Sequence, residues 1–245
     1  MLIRPSSTVV TVRRLDPPRP SGSTAVMARR VVPPDSLDFF PTPPWATRAF
    51  VTGARAAGFF RPAASVVWEP AAGEGHMAEV LREFFPTVRA GDIFDYGRGY
   101  EVADFLGPDA GLGWGRPDWI ITNPPFSAAL AFAERGLELA RSGVALLVRL
   151  QWLEGAERYR LFERHQPTAV VLYSERVPMT RGRWDPKAKT ATAYAWVVWD
   201  LAAPAGQTTF HLIPPGSRAR FTKADDARRF AAGADAPLLQ GGEDD

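Results

Sequence analysis

The residues best suited to chemistry form the run Thr122-Asn-Pro-Pro-Phe126, which directly follows an apolar segment. The side-chain carbonyl of Asn123 and the backbone carbonyl of Pro124 are two acceptors that could hold the N–H groups of an exocyclic amine. Such a nitrogen is a poor nucleophile because its lone pair is delocalised into the ring, and two acceptors favour a pyramidal nitrogen with an available lone pair. Pro124 and Pro125 stiffen the backbone that presents these oxygens. Phe126 offers a flat face for a base taken out of the stack. The run predicts transfer chemistry at an amino nitrogen; a Pro-Pro turn that merely ends a strand is the structural alternative.

A glycine turn upstream could bind a ligand. The run Glu69-Pro-Ala-Ala-Gly-Glu-Gly75 closes a predicted strand and opens a predicted helix. Its glycines would let the backbone approach a ligand at the carboxyl end of the strand. The run lacks the three-glycine spacing of a dinucleotide fingerprint, and the chain has no Gly-Lys-Ser/Thr phosphate loop. Taken alone, a turn of this kind can also be purely structural.

Acidic residues after the next strand could complete a nucleotide-binding site. Asp92 ends a strand about twenty residues further on, where an acid can accept hydrogen bonds from ribose hydroxyls. Asp95 competes for this role, and either residue could simply cap a turn. Asp104 could accept from an adenine amino group while Phe105 lines the ring.

Composition excludes several other kinds of site. The chain has no cysteine, which excludes disulfides, a thiolate nucleophile and cysteine-ligated zinc. Its 3 histidines show no metal-ligand spacing, so no metal site is predicted. No apolar run approaches the length of about eighteen residues that a membrane span needs. The formal net charge of +2 is nearly neutral, so the distribution of charge matters more than its sum.

The candidate site residues lie in a part of the chain where predicted strands and helices alternate. Apolar segments predict strands, and the one at 144–148 is typical of a strand buried on both faces. Alternation of this kind indicates an α/β fold with a mostly parallel sheet covered by helices on both faces. We predict helices over 43–57, 76–85, 128–141 and 155–165, and strands over 65–69, 87–92, 118–123, 144–148, 169–173, 193–199 and, more weakly, 208–213.

The two ends of the chain differ in composition from this domain, which we place at 35–213. Residues 1–34 carry six arginines against one acid and are rich in proline, which predicts a disordered basic tail. A transit peptide and a start at Met27 are alternatives for this segment. Residues 214–245 form a Gly-, Pro- and Asp-rich extension with an acidic end, which we expect to be partly disordered.

A basic linker lies between two of the last strands. Its cations could track a phosphate backbone, and Trp184 among them could stack a base. A solvated hairpin loop is the alternative. The candidate nucleic-acid-binding residues are Arg176, Arg181, Arg183, Lys187 and Lys189.

Together these runs resemble a known family. Asn-Pro-Pro-Phe after a strand, downstream of Glu-Pro-Ala-Ala-Gly, resembles motifs IV and I of the class I amino methyltransferases. The segment Phe40-Pro-Thr-Pro-Pro-Trp-Ala-Thr47 resembles the N-terminal segment of the gamma-ordered DNA adenine methyltransferases. Residues 152–155 and 195–200 are similar to small phage and prophage adenine methyltransferases. The similarity covers 38–200 and implies a Rossmann-like fold with an antiparallel strand near the C-terminus.

The resemblance implies S-adenosylmethionine as cofactor and no metal. It assigns Thr42 to the methionine carboxylate and Asp92 to the ribose. Asp104 and Phe105 are assigned to the cofactor adenine. The methionine and sugar region is assigned to Glu69, Ala71 and Gly73.

The implied function is methylation of an exocyclic amino group, foremost N6 of adenine in DNA, in the cytoplasm of a bacterial or phage-infected cell. Amino methylation of RNA (guanine N2 or adenine N6) and of protein glutamine are alternatives, because the Asn-Pro-Pro-aromatic motif is shared with those enzymes. A catalytically silent cofactor-binding or nucleic-acid-binding module is a third reading. The chain departs from the DNA enzymes in lacking a large target-recognition domain.

Overall fold

A central sheet organises the part of the chain that the computed structural model describes, residues 8–10, 38–60, 66–111, 113, 115–204 and 206–231. Its strands are β1 (Thr8–Val10), β2 (Val66–Glu69), β3 (Thr87–Asp92), β4 (Glu101–Val102), β5 (Trp119–Thr122), β6 (Gly143–Arg149), β7 (Ala169–Tyr173), β8 (Tyr194–Asp200) and β9 (Thr208–Ile213). Within the described residues they pair in the order β1-β9-β7-β8-β6-β5-β2-β3-β4.

Among the described elements, α-helices lie in four of the eight connections between consecutive strands, and two more follow β9. Helix α1 begins at Pro44, where a proline costs no hydrogen bond because the first N–H groups of a helix have no intrahelical partner. A single 3₁₀ turn, Leu150–Leu153, follows β6. The α-helices are α1 (Pro44–Ala56), α2 (His76–Leu81), α3 (Ala129–Leu139), α4 (Ala156–Arg164), α5 (Ser217–Phe221) and α6 (Asp226–Phe230).

The sheet is mostly parallel, as the sequence predicts. Strands β4, β3, β2, β5 and β6 run parallel to one another. Strand β8 runs antiparallel to both of its neighbours, β6 and β7, and is the expected antiparallel strand near the C-terminus. The α/β, Rossmann-like class I methyltransferase fold predicted from the sequence is therefore confirmed in its strand pattern.

The order of the strands creates a crevice at one edge of the sheet. Strand β2 pairs with β3 on one side and with β5 on the other, so the chain leaves β2 in one direction and later returns to its opposite side. Open α/β sheets bind ligands at such a switch point, outside the carboxyl ends of the strands. The glycine turn after β2 and the Asn-Pro-Pro-Phe run after β5 both begin there.

The core lies on both faces of the sheet, and β6 shows why. Residues 143–148 are all buried, which confirms the prediction for this apolar run. Successive side chains point to opposite faces. Ala145 and Leu147 join one cluster, in which Phe50 of α1 stacks on Trp196 with ring centroids 3.9 Å apart. Val144 and Leu146 join the cluster on the other face.

A buried ion cluster fixes the C-terminal helices to the domain. Arg48 of α1 donates to both carboxylate oxygens of Asp226 at 2.7 Å and to both oxygens of Glu83 at 2.8 and 2.9 Å. It also donates to the Phe221 carbonyl at 2.9 Å. Despite burial, which opposes it, the two acids raise the pKa of the Arg48 guanidinium. Arg48, Lys223 and Arg229 in turn lower the pKa of Glu83 to about 2 despite its partial burial.

The two ends of the chain differ from expectation where they are described. Thr8–Val10 pairs with β9 in the sheet, so the prediction of disorder across 1–34 is wrong for these residues. The other residues of that segment lie outside the described part of the chain. In the C-terminal extension, α5 and α6 pack beside α1, while residues 232–245 lie outside the description. No helix in the described ranges is long and apolar enough to cross a membrane.

Candidate active site

The side chain of Asn123 is held in one orientation at the end of β5. Its amide nitrogen donates to the backbone carbonyl of Phe40 at 2.8 Å and lies 3.7 Å from the sulfur of Met179. Its carbonyl oxygen Oδ1 is buried and accepts no hydrogen bond from the described residues. Asn123 is also one of the residues that line the cavity described below.

Phe126 lies in an aromatic and cationic setting beside Asn123. Its ring is half-buried, with centroids 5.1 Å from Phe40 and 6.0 Å from Tyr194. The guanidinium carbon of Arg149 lies 4.0 Å from the Phe126 centroid. One face of the ring therefore carries a cation, a contact that no sequence motif predicts.

Glu69, at the end of β2, is a buried acid with one oxygen unsatisfied. Its Oε1 accepts from the Thr122 hydroxyl and, at 3.3 Å, from the Ala71 N–H. Its Oε2 is buried without a described donor. Burial raises the pKa of Glu69 to about 8. A buried carboxyl with a free oxygen at a strand end is suited to a ligand that brings its own donor.

Asp92, rather than Asp95, lies at the cavity. Its carboxylate accepts from the Gly73 N–H at 2.8 Å and from the Phe94 N–H at 3.1 Å, so it bridges the glycine turn to the end of β3. Burial raises the pKa of Asp92. Asp95 is exposed and caps a turn by accepting from Gly97 at 2.7 Å.

The pair Asp104 and Phe105 lies across the cavity from Asn123. Asp104 is exposed, and its Oδ1 accepts from the Leu106 N–H at 2.9 Å. Phe105 is buried between Trp68 and Phe132, with centroids 5.2 and 4.7 Å away. An acid on the surface beside a buried ring edge fits the adenine role that the resemblance implies.

A segment before α1 lies over the glycine turn. Phe39 packs so closely on Gly73 that a Cβ there would approach the ring to 2.4 Å, which restricts position 73 to glycine, as does its φ of +53°. Thr42, which belongs to the same segment, is buried.

His76, the first residue of α2, forms a hydrogen bond with the Phe230 carbonyl at 2.9 Å, and burial lowers the pKa of its ring to about 4.

One cavity of about 410 Å³ brings together most of the predicted catalytic and cofactor-binding residues. Gly73, Pro124 and Phe126 adjoin it without lining it. A wider, open groove of about 600 Å³ between Glu175 and α5 contains none of them. The predicted residues that line the smaller cavity are Thr42, Glu69, Ala71, Asp92, Asp104, Phe105, Asn123 and Pro125.

No protein-family model and no curated protein matches the sequence. Among solved structures, the modification subunit of a candidate type I restriction enzyme from Vibrio vulnificus is similar, with a TM-score of 0.51 and 16% identity. The match covers 82% of this chain and 54% of that one, so this chain spans about half the length of that protein. A candidate RNA methyltransferase from Pyrococcus horikoshii aligns with a TM-score of 0.45 and 16% identity over 63% of this chain and 83% of that one.

At 16% sequence identity, a structural similarity shows that two proteins share a fold and shows nothing about their substrates. The chain has a class I methyltransferase fold. In the described residues of this fold, no group of three or more metal-ligating side chains is arranged to hold an ion.

The basic linker lies at the rim of the methyltransferase fold's cavity. The Gly182 N–H donates to the Phe39 carbonyl at 2.8 Å, and Met179 contacts Asn123. Trp184 is buried against Val80 and Phe230, so the expectation that it could stack a base is wrong. The linker's cations differ in exposure: Arg183 is half-buried, and the exposed ones are Arg176, Arg181, Lys187 and Lys189.

Sequence reasoning missed the residues that contact the Asn-Pro-Pro-Phe run. Phe40 orients Asn123 through a backbone carbonyl, which leaves no trace in residue type. Arg149 had a weak signal, since it is the one charged residue at the end of an apolar strand that neighbours β5. Tyr194 opens the strand opposite and is paired with Arg149 in register.

Proposed function

We propose that this protein is an S-adenosylmethionine-dependent methyltransferase that acts on an exocyclic amino group, and that N6 of adenine in DNA is the acceptor. The observation that carries the proposal is Asn123, with its amide nitrogen held by Phe40 and its buried Oδ1 unsatisfied. Leaving a buried acceptor unpaired costs about 1–3 kcal/mol, so such groups are rare. A substrate N–H would remove that cost.

The residues around the cavity fit the cofactor. A volume of about 410 Å³ is in the range of small-molecule sites. The unpaired Oε2 of Glu69 suits an amino group, which the methionine part of the cofactor carries. Thr42 would bind the methionine carboxylate and Asp92 the ribose. Asp104, on the exposed side of Phe105, would accept from the adenine amine.

The chain's own contribution to the chemistry is to hold the acceptor nitrogen. S-adenosylmethionine, when bound, supplies an electrophilic methyl group. The Asn123 Oδ1 and the Pro124 carbonyl accept the two N–H groups of the amine, which keeps its lone pair available. Transfer of the methyl group would break its bond to the cofactor sulfur, leaving a thioether, as the N–C bond forms, and the two fixed dipoles would stabilise the positive charge that the nitrogen gains. The proton of this nitrogen would then be acidic enough to pass to water; His76, whose pKa is lowered to about 4 by burial, is not needed for it.

A nucleic acid is the substrate that the surroundings favour. Phe126 follows Asn123 by three residues and is half-buried, and aromatic faces hold bases that have left the stack. Trp184 is buried and does not compete for that role. The basic linker adjoins the cavity and carries cations that can follow a phosphate backbone. We propose that this linker binds the backbone of the nucleic acid.

Transfer of a labelled methyl group tests the proposal. The protein is incubated with S-adenosyl[methyl-³H]methionine and, in parallel, with unmodified DNA, RNA and protein, and the products are hydrolysed to nucleosides and amino acids. We expect the label in N6-methyladenine from DNA. An Asn123→Ala preparation run in parallel measures label introduced by contaminating enzymes. Label found only in RNA or only in protein glutamine would overturn the DNA assignment, and cofactor binding without transfer would indicate a silent binding module.

A further inference from the structure

Arg149 is the charged residue at the carboxyl end of β6, beside the catalytic run. The parallel register pairs Thr122 of β5 with Leu146 of β6. Arg149 lies three positions beyond Leu146, and so it reaches the level of the residues that follow β5. The rest of β6 is buried, whereas Arg149 is exposed. The fold thus places one cation at the open edge of the sheet, next to Phe126.

The guanidinium of Arg149 lies over an aromatic surface. Its central carbon lies 4.0 Å from the Phe126 centroid and 5.7 Å from that of Phe40. Tyr194 is hydrogen-bonded to it. None of the ion pairs among the described residues includes Arg149, so its charge is not neutralised by a carboxylate of that part of the chain.

This arrangement leaves guanidinium donors available beyond the one that Tyr194 accepts. Its N–H groups lie in the plane of the group, so packing one face on a ring does not occupy them. In-plane donors match the geometry of a phosphate, which they can bind through two parallel hydrogen bonds. A lysine in the same place would supply a point charge without the flat face.

We propose that Arg149 is a substrate-binding residue that holds a backbone phosphate of the target nucleotide while its face packs on Phe126. The inference rests on the proposed function, because it takes the acceptor to be a nucleic acid. A base that reaches Asn123 brings its sugar and phosphates to the open edge of the sheet, where this cation lies. Arg149 thereby couples the position of the backbone to the ring that receives the base.

Binding of oligonucleotides by substituted proteins tests the role. Arg149→Met keeps most of the apolar stem and removes the charge, and Arg149→Lys keeps the charge and removes the planar group. Arg141→Met is the matched control, since Arg141 is exposed and precedes β6 at the opposite edge of the sheet. Dissociation constants are measured by fluorescence anisotropy at several salt concentrations, with cofactor affinity by calorimetry and steady-state KM and kcat.

We expect Arg149→Met to weaken oligonucleotide binding about tenfold or more, the scale of a lost charge-assisted hydrogen bond. The slope of log K against log salt should fall by about 0.7–0.9, the value for one phosphate contact. KM for the oligonucleotide should rise more than kcat falls, and cofactor affinity should stay unchanged. Arg149→Lys should keep the salt slope but bind more weakly than the wild type. Arg141→Met should match the wild type.

Two results would overturn the inference. If the wild type binds oligonucleotides and Arg149→Met does so with the same affinity and salt slope, Arg149 only covers Phe126, and the proposed function is unaffected. If the wild type binds no oligonucleotide at all, the nucleic-acid substrate is wrong and the role of Arg149 is wrong with it. Should Arg149→Met fail to fold, the Arg149→Lys protein still decides, because a salt slope reduced to the same extent as the loss of a whole contact would contradict phosphate binding.

Discussion

Two buried polar clusters in this protein are built in opposite ways. Around Arg48, every guanidinium nitrogen donates to Glu83, Asp226 or Phe221, and the charges are balanced by a network that reaches the surface. At the cavity, Glu69 and Asn123 each keep one buried oxygen without a described donor. The first cluster joins distant parts of the chain. The second carries unsatisfied acceptors that a bound molecule can complete.

The largest effect on stability should come from the satisfied cluster. Arg48→Met would leave the 1% exposed carboxylate of Asp226 without its buried partner. Breaking a buried pair on one side costs about 3–5 kcal/mol. We expect the free energy of unfolding, measured by urea denaturation, to fall by that amount. Arg229→Met is the control: its ion pair with Glu83 is partly exposed, and it should cost about 1 kcal/mol or less. Equal losses in the two variants would show that the buried network does not hold the C-terminal helices.

At the cavity, we expect a substitution of Glu69 to raise the free energy of unfolding rather than to lower it. The folded protein raises the pKa of Glu69 from 4.5 to about 8, so it retains a proton that the unfolded chain releases. The contribution of Glu69 to the free energy of unfolding is therefore fully present below pH 4.5 and is lost as pH rises toward 8. Glu69→Gln removes this dependence. It should stabilise the cofactor-free protein by a few kcal/mol at pH 8, with little effect near pH 4.5, while weakening cofactor binding.

The control for Glu69→Gln is Glu157→Gln, because the side chain of Glu157 is 65% exposed. Unfolding free energies of both variants are measured from pH 4.5 to 8. A Glu69→Gln protein whose stability declines with pH as steeply as that of the wild type would mean that the carboxyl is already ionised in the folded state.

The sequence predicts a cluster when its members are close together in the chain, and it does not when they are far apart. Asn123 could be proposed from the sequence because the role predicted for it depends on its immediate neighbours, two prolines and a phenylalanine. The run at 169–173 matches β7 for the same reason, since a local apolar pattern suffices. The Arg48 network could not be identified, because Arg48 and Asp226 are 178 residues apart and meet only through the tertiary fold.

The remaining differences have equally physical causes. Helices α5 and α6 are 5 residues each, too short for apolar periodicity to appear in the sequence. Trp184 lies among exposed cations in the chain but is buried by Phe230, which only the packing of α6 brings there. The hydrogen bond from Asn123 to Phe40 involves a backbone carbonyl, and a backbone group carries no signature of residue type.

The smallest effect should come from cations that belong to neither buried cluster. Arg176, Lys187 and Lys189 are exposed on the basic linker, unlike Arg48. Reversing all three to glutamate should leave the free energy of unfolding nearly unchanged, weaken oligonucleotide binding and flatten its salt dependence. Anisotropy titrations at several salt concentrations measure both quantities. Wild-type affinity and slope in the triple variant would leave the linker as a solvated loop.

The central claim is that Asn123 holds the acceptor nitrogen and not the cofactor. Asn123→Ala removes an acceptor that acts chiefly in the transition state, and the loss of one such dipole lowers rates by about 10²–10³-fold. Single-turnover methyl transfer to DNA and the cofactor dissociation constant are measured on the same preparations. We predict a rate lower by about that factor with cofactor affinity near that of the wild type. Methyl transfer at the wild-type rate, or a loss of rate that is fully explained by weaker cofactor binding, would contradict the account.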